Sequence, residues 1–190
     1  MGKIPDKMFT VKEAAGCGLP RWRLAQMVDT GELERVSRGV YMKRGVFASA
    51  MPEVEVLMAR GTDFVVALES ALWMNEFSTA APHVLWIAMR RGARTPKVDF
   101  PLKIVRVDDR SFDMGAEWRE AQGVRTRVYS PAKTVADLFK FRNKIGMERA
   151  LEALKDGLRR RLFTVDELLK CAKVDRVLRI IVPYIEGYFG

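Results

Sequence analysis

The sequence has little of the chemistry that most catalytic and metal sites require. Among 190 residues there are one histidine and two cysteines, Cys17 and Cys171. A single histidine cannot form a multi-histidine site, and the distant cysteines lack the paired spacing of zinc ligands. No glycine-rich loop ends in Lys-Ser or Lys-Thr, so no cradle for nucleotide phosphates is predicted. We therefore expect a protein that is not an enzyme, with reduced thiols and without a metal or cofactor.

Long apolar runs are also missing. The longest, residues 84–89, is far shorter than the roughly 20 residues that span a bilayer. No apolar stretch follows the early positive charge, which argues against a cleaved secretion signal. The apolar fraction of 48% is higher than in disordered chains. We expect a globular, cytoplasmic protein that does not contact membranes.

Negative charge is in deficit, with 33 lysines and arginines against 24 acidic residues and a formal net charge of +9. Such an excess attracts polyanions and supports sequence-independent binding to phosphates. Solvated cations are equally common in proteins that bind no nucleic acid, so the positions of the charges must decide.

Residues 9–31 predict two short helices joined by a tight turn. Thr10 and Glu13 have the spacing of a capping box at a helix start. Gly16 and Gly18 supply the backbone freedom of the turn, Pro20 restarts the chain, and a second helix extends over about residues 20–30. Its predicted inward stripe consists of Leu19, Leu24, Met27 and Val28.

Residues 32–42 predict a β-hairpin with Ser37-Arg38-Gly39 at its tip. Helix, turn, helix and hairpin follow one another in the order of a winged helix-turn-helix, whose second helix enters the major groove of DNA. Helix pairs of this kind also occur in proteins that never touch DNA. A non-catalytic protein-interaction module, with the helix pair as its partner-binding surface, is therefore the alternative.

The candidate DNA-binding residues lie on the second helix, on the hairpin and near the first helix. Arginine can donate two hydrogen bonds to guanine, and glutamine can pair with adenine in the same way. The candidates are Lys12, Arg21, Trp22, Arg23, Gln26, Arg35, Ser37, Arg38 and Lys43.

A second basic patch is predicted from two further groups of cations. Residues 90–97 contain four cations and no acid, and three arginines follow one another at 159–161. A soluble hairpin tip would explain the first group equally well, and interaction with a helix carboxyl end would explain the second. The residues are Arg90, Arg91, Arg94, Lys97, Arg159, Arg160 and Arg161.

The predicted fold class is α+β, with a winged helix-turn-helix domain over residues 1–48 and a second domain over residues 49–190. Short helices are predicted at 52–59 and 67–74, and strands near 83–89, 102–107 and 124–129. These strands predict a small, mostly antiparallel sheet. A C-terminal helical bundle, which begins at Ser130 and whose last helix is interrupted by Pro183, packs on the sheet.

The acidic residues allow one hypothesis of an enzyme, a metal-dependent nuclease. Asp99 and Glu117 could hold the metal of a nuclease, but the residue two positions after Glu117 is Arg119 rather than lysine.

The remaining candidates for a catalytic or metal-binding role are interpreted as structural. Asp108 and Asp109 are predicted to form a turn. His83 is interpreted as structural. Asp137, which stands among apolar residues, is predicted to be partly buried and structural, and to pair with a cation such as Lys133 or Arg142 or with a backbone amide.

Several segments of the chain resemble the AbiEi family of antitoxins and transcriptional regulators. The similar segments are FTVKEAA at 9–15, Gly18, GELERVSRGVY at 31–41, SPAKTVAD at 130–137, RNKIG at 142–146 and EAL at 152–154. Between residues 67 and 123 the similarity is one of pattern.

The resemblance implies that the N-terminal domain binds inverted repeats in the promoter of its own operon, with self-association on the DNA. It also implies that the C-terminal domain counteracts an AbiEii-type nucleotidyltransferase toxin without needing a stable complex. One feature departs from this pattern. A winged helix usually has a helix before the helix pair, and only residues 1–8, which include Pro5, precede it here.

Overall fold

A computed structural model describes residues 4–46, 49–121 and 123–190 of the chain. The chain forms two compact units. The first contains Met1–Asp63, Arg94–Phe100 and Gln122–Val124, and the second contains the remaining residues. Helices and two separate sheets confirm the α+β class. The predicted domain boundary between residues 48 and 49 adjoins residues that lie outside the described ones, and it stays a prediction.

Local signals in the sequence account for the elements of the first unit. The Thr10 hydroxyl accepts a hydrogen bond from the Glu13 amide at 3.3 Å, and the Glu13 carboxylate accepts one from the Thr10 amide at 2.8 Å. Gly18 has a φ of 76°, which a residue with a side chain rarely adopts, and it completes the turn. The elements are β1 (Phe9–Thr10), α1 (Val11–Gly16), α2 (Arg21–Asp29), β2 (Leu33–Ser37), β3 (Val40–Lys43) and α3 (Pro52–Ala59).

The strands of the first unit form an antiparallel sheet in the order β1-β3-β2. Leu19, Leu24 and Met27 are buried as predicted, and they pack with Phe9 and Leu33. A second small cluster, of Met8, Val40, Met42 and Val56, includes Phe100 as a partly buried neighbour. These two apolar clusters among the described residues support α2 and the hairpin.

The later part of the chain alternates short strands and helices before it becomes entirely helical. Its elements are β4 (Val65–Val66), α4 (Leu68–Met74), β5 (Leu85–Arg90), β6 (Leu102–Val107), α5 (Asp109–Asp113), β7 (Ala116–Ala121), β8 (Val124–Tyr129), α6 (Pro131–Lys140), α7 (Arg142–Ile145), α8 (Met147–Arg159), α9 (Val165–Val174) and α10 (Leu178–Phe189).

The larger sheet has the order β6-β5-β4-β8-β7 and is mixed, so the prediction of a mostly antiparallel sheet was wrong. β4 and β5 are antiparallel, but β5 runs parallel to β6, and β4 runs parallel to β8. Parallel neighbours need a long connection that returns the chain to the starting end. Residues 91–101 provide it, and most of them belong to the first unit. They are therefore not a hairpin tip.

The C-terminal helices surround α6, whose residues 132–139 are all buried. Ser130 caps α6 through the Lys133 amide, and Thr164 and Glu167 form a capping box at α9. The predicted interruption at Pro183 was wrong, because α10 continues through it. Pro183 is exposed, whereas Ile181 and Ile185 are buried and anchor the helix on either side of it. Among the described residues, no helix combines the length and apolar character needed to cross a membrane.

Candidate nucleic-acid interface

The first turns of α2 present large polar and aromatic side chains to solvent. Arg21, Trp22 and Gln26 are exposed, and Trp22 has 67% of its surface accessible. Because Leu24 and Met27 are buried against the core of the first unit, the helix is fixed with these other positions facing outward. Arg23, also predicted as a contact, is half-buried. The arrangement can offer hydrogen-bond donors and an apolar ring to a partner.

The hairpin and the first helix add further cations to the surface of the first unit. Lys12, Arg35 and Arg38 are exposed, and within the described part of the chain none of them forms an ion pair. Lys43 is also exposed and lies 3.5 Å from the carboxylate of Asp6. Pairs at this distance and exposure add about 1 kcal/mol or less to stability, so Lys43 can exchange this partner for another anion.

Ser37 does not belong to that exposed set. It is only 3% exposed, and its hydroxyl donates a hydrogen bond of 2.5 Å to one carboxylate oxygen of Asp99. The other oxygen of Asp99 accepts from the Arg38 amide at 3.2 Å. The Ser37 hydrogen bond, with further bonds to backbone amides, lowers the pKa of Asp99. Ser37 therefore fixes the shape of the hairpin tip, and its hydroxyl is not presented to solvent.

Arg60, just after α3, holds the same tip from another side. Its guanidinium donates to the Arg38 carbonyl at 2.7 Å and to the Ser37 hydroxyl at 3.2 Å. It also donates to the carbonyl of Lys97. The sequence reasoning missed both Arg60 and the structural role of Asp99, since each is distant in sequence from the hairpin. The tip is thus preorganised by side chains outside it.

The predicted second basic patch divides between the two units. Arg94 and Lys97 belong to the first unit and are exposed, whereas Arg90 and Arg91 belong to the second. Arg90 forms ion pairs with Asp109 at 2.9 Å and with Asp113 at 2.8 Å. The two aspartates therefore neutralise the charge of Arg90. The neighbouring Arg91 is exposed.

The arginines at 159–161 are also partly balanced. Arg159 and Arg160 lie 2.5 Å and 3.0 Å from the carboxylate oxygens of Asp156. Arg160 also donates to the Glu76 carbonyl at 2.8 Å, and Arg161 is exposed. These contacts at the end of α8 agree with a structural role for the first two residues.

A buried charged cluster lies inside the second unit. Lys133 is completely buried and lies 2.5 Å from Asp137 and 3.0 Å from Asp175, as measured between its Nζ and the nearest carboxylate oxygens. The predicted pairing of Asp137 with Lys133 is confirmed, with deeper burial than expected. Asp175 also accepts hydrogen bonds from Lys140 at 2.8 Å and from Ser111 at 2.6 Å. Sequence reasoning missed Asp175.

The two carboxylates of this cluster have opposite pKa shifts. Burial raises the pKa of Asp137 to about 7, although Lys133 opposes the shift. Burial would also raise the pKa of Asp175, but Lys133 and Lys140 more than offset it and hold that pKa below its ordinary value. Two acids that share one lysine therefore favour different protonation states.

The carboxylates considered for a metal have other partners. Asp99 binds the hairpin tip, and Glu117 pairs with Arg119 at 2.9 Å. Asp108 caps α5 by accepting from the Ser111 amide at 2.9 Å. Within residues 4–46, 49–121 and 123–190, no group of three or more histidine, cysteine, aspartate or glutamate residues is arranged to hold a metal ion.

These features define an α+β protein whose first unit presents a helix pair and a hairpin rich in exposed cations. Residues 6–42 match the model of a family described as "Transcriptional regulator, AbiEi antitoxin". The match covers α1, α2 and nearly all of the hairpin, and it confirms the predicted resemblance over this segment. The similar motifs between residues 130 and 154 lie outside the match. No curated protein matches the chain.

Proposed function

We propose that this chain is a DNA-binding transcriptional regulator that represses the promoter of its own toxin–antitoxin operon. In this proposal the first unit is a winged helix-turn-helix, α2 is the recognition helix, and the β2–β3 hairpin is the wing. The observation that carries the proposal is the exposed group Arg21, Trp22 and Gln26 on the first turns of α2. The family match to residues 6–42 supports the same role.

The side chains of α2 serve sequence recognition in this proposal. Recognition helices contact base edges mainly with their N-terminal residues, which is where Arg21 and Trp22 lie. Gln26, one turn further along the same exposed face, is assigned to an adenine. Arg23 is half-buried. We assign it to a phosphate of the DNA backbone that lies near the start of α2.

The hairpin and α1 serve the phosphate backbone. Arg35, Arg38 and Lys43 line the wing, and Lys12 approaches the backbone from α1. Contacts of this kind contribute affinity and salt dependence without carrying sequence information directly. Ser37 is left out of the contact set because its hydroxyl is bound to Asp99.

A gel-shift titration with two duplexes tests this division of roles. One duplex carries DNA from upstream of the gene, and the other has the same composition in scrambled order. We expect Arg38→Ala to weaken binding to both duplexes by a similar factor. Gln26→Ala should weaken binding to the upstream duplex by about 1 to 3 kcal/mol and leave the scrambled one nearly unchanged.

Lys155→Ala is the control for these variants, because it removes an exposed cation from α8 in the second unit. Equal losses on both duplexes for Gln26→Ala would contradict its assignment to a base. If the unmodified protein gives no salt-sensitive shift, the interaction-module hypothesis is favoured. In that case the exposed ring of Trp22 would be a contact for a protein partner.

The second unit is proposed to counteract an AbiEii-type nucleotidyltransferase toxin, without catalysis and without a stable complex. The test is co-expression with a nucleotidyltransferase-like reading frame adjacent to the gene. We expect growth to be restored by the full chain and by a Gln26→Ala variant, since this activity is assigned to the second unit. A toxin that remains lethal in the presence of the full chain would contradict this part of the proposal.

A further inference from the structure

The segment of residues 94–100 belongs to the first unit although it follows β5 of the second by only a few positions. At one end of it, Phe100 packs against Met8, against Val40 and Met42 of β3, and against Val56 of α3. The segment is therefore packed on the same small core as the wing. The family match ends at residue 42 and does not include it.

Hydrogen bonds fix the segment to the hairpin tip itself. Asp99 accepts from the Ser37 hydroxyl at 2.5 Å and from the Arg38 amide at 3.2 Å. A single guanidinium, that of Arg60, donates to the carbonyls of both Arg38 and Lys97. The side chain of Arg60 therefore bridges the main-chain carbonyls of Lys97 and Arg38 and holds the two segments close together.

The charges along this surface are mostly positive. Arg38, Arg94 and Lys97 are exposed, and within the described part of the chain their side chains form no ion pair. The one nearby acid that joins the segment to the tip, Asp99, is already engaged by Ser37 and by the Arg38 amide. Such a surface has cations available for an external polyanion, and its shape is set before binding.

We infer that residues 94–97 form a second phosphate-binding element beside the wing, with Arg94 and Lys97 extending the contact of Arg38 along the DNA backbone. The inference rests on the proposed DNA-binding function and adds residues to it from a distant part of the sequence. Asp99 and Arg60 act as positioning residues, because they hold this element and the wing tip together without touching DNA themselves.

Fluorescence anisotropy on the upstream and scrambled duplexes at several salt concentrations tests the inference. The double variant Arg94→Ala, Lys97→Ala should lose affinity for both duplexes by the same factor, on the order of tenfold near 0.15 M salt. The slope of log affinity against log salt should fall by about 2, or about 1 for each lost phosphate contact. The matched control is Lys155→Ala, Lys173→Ala, which removes two exposed cations from the second unit.

The outcomes separate this inference from the proposed function. If Arg38→Ala weakens binding and the 94/97 variant binds like the unmodified protein, the inference is wrong and the proposed function stands. If the control loses as much affinity as the 94/97 variant, net charge explains the effect and the inference is again wrong. If the unmodified protein binds neither duplex, the proposed function fails, and the inference fails with it.

A positional experiment provides a readout that does not depend on charge. An iron chelate is attached to Lys97→Cys or to Arg38→Cys, each with Cys17→Ser, and the bound upstream duplex is cleaved. We expect the two cleavage patterns to lie within about half a helical turn, roughly 5 base pairs, of each other. Cleavage from position 97 that is absent, or a full turn away, would overturn the inference.

Discussion

Two groups of charged side chains, one in each unit of this protein, lie in contrasting environments. In the first unit Arg21, Arg35 and Arg38 are exposed around small apolar clusters. In the second unit Lys133, Asp137 and Asp175 are buried within a large core. A basic composition therefore does not by itself indicate a polyanion-binding surface, because the position of each charge decides whether it can contact a partner. Exposed cations are available to a partner, whereas buried ones are committed to the fold.

The largest effect is expected where a buried charge loses its partner. Lys133→Met keeps most of the side-chain volume but leaves Asp137 and Asp175 without their shared cation. Removing one member of a buried pair costs about 3 to 5 kcal/mol. Urea unfolding should show this loss, whereas Lys155→Met on the exposed side of α8 should stay within about 0.5 kcal/mol. If the two variants had equal free energies of unfolding, the claim that the buried lysine stabilises the fold more than the exposed one would be contradicted.

A smaller effect is expected from the packing of the second unit. A Cβ atom on Gly157 of α8 would lie 2.2 Å from Cε1 of Phe163, whose ring is almost completely buried. Overpacking typically costs about 1 to 3 kcal/mol, and the better helix propensity of alanine returns up to about 1 kcal/mol. Gly157→Ala should therefore lower the free energy of unfolding by about 1 to 2 kcal/mol.

Gly187→Ala is the matched control for that variant. Gly187 is also helical, in α10, and an added Cβ would meet nothing within 4 Å. Its stability should be unchanged or slightly raised. If both glycine variants unfolded at the same urea concentration, the close packing of Gly157 against Phe163 would not be limiting.

The buried carboxylates should also make the stability depend on pH. The pKa of Asp137 is raised to about 7, so the folded state binds its proton more tightly than the unfolded state does. Between about pH 4 and pH 7 its contribution to stability therefore falls as the pH rises. Asp175, with a lowered pKa, contributes stability above its ordinary pKa that is lost as the pH falls below it.

Asp137→Asn removes the first of these contributions and keeps the second. We expect its free energy of unfolding to decline less between about pH 5 and pH 7.5 than that of the unmodified protein. Urea titrations at several pH values measure this difference. A steeper decline in the variant would show that another group produces the pH dependence in this range.

Much of the local structure could be predicted because its causes are close together in sequence. The capping box predicted at Thr10 and Glu13 joins residues three positions apart, and it forms as expected. The capping box at Thr164 has the same local spacing. The strands at 102–107 and 124–129 also have the predicted bounds. β7 was not predicted, since it lies at the edge of the sheet and its sequence, AEWREA, lacks a regular apolar alternation.

Features that depend on distant residues could not be predicted. The parallel pairing of β5 with β6 depends on the path of residues 91–101, which no local pattern reveals. Ser37 and Asp99 are 62 positions apart, and either residue alone would suit an exposed turn. The pairing of Lys133 with Asp137 was accessible because one helical turn separates them, whereas Asp175 comes from another helix.

The central claim, that the exposed cations of the first unit meet double-stranded DNA, is tested most directly by comparing two affinities. Fluorescence anisotropy on the upstream duplex would measure the unmodified protein and the double variant Arg21→Ala, Arg38→Ala at several salt concentrations. We expect the variant to bind at least about tenfold more weakly, with a salt slope lower by about 1 to 2. Equal affinities and equal slopes for the two proteins would contradict the claim.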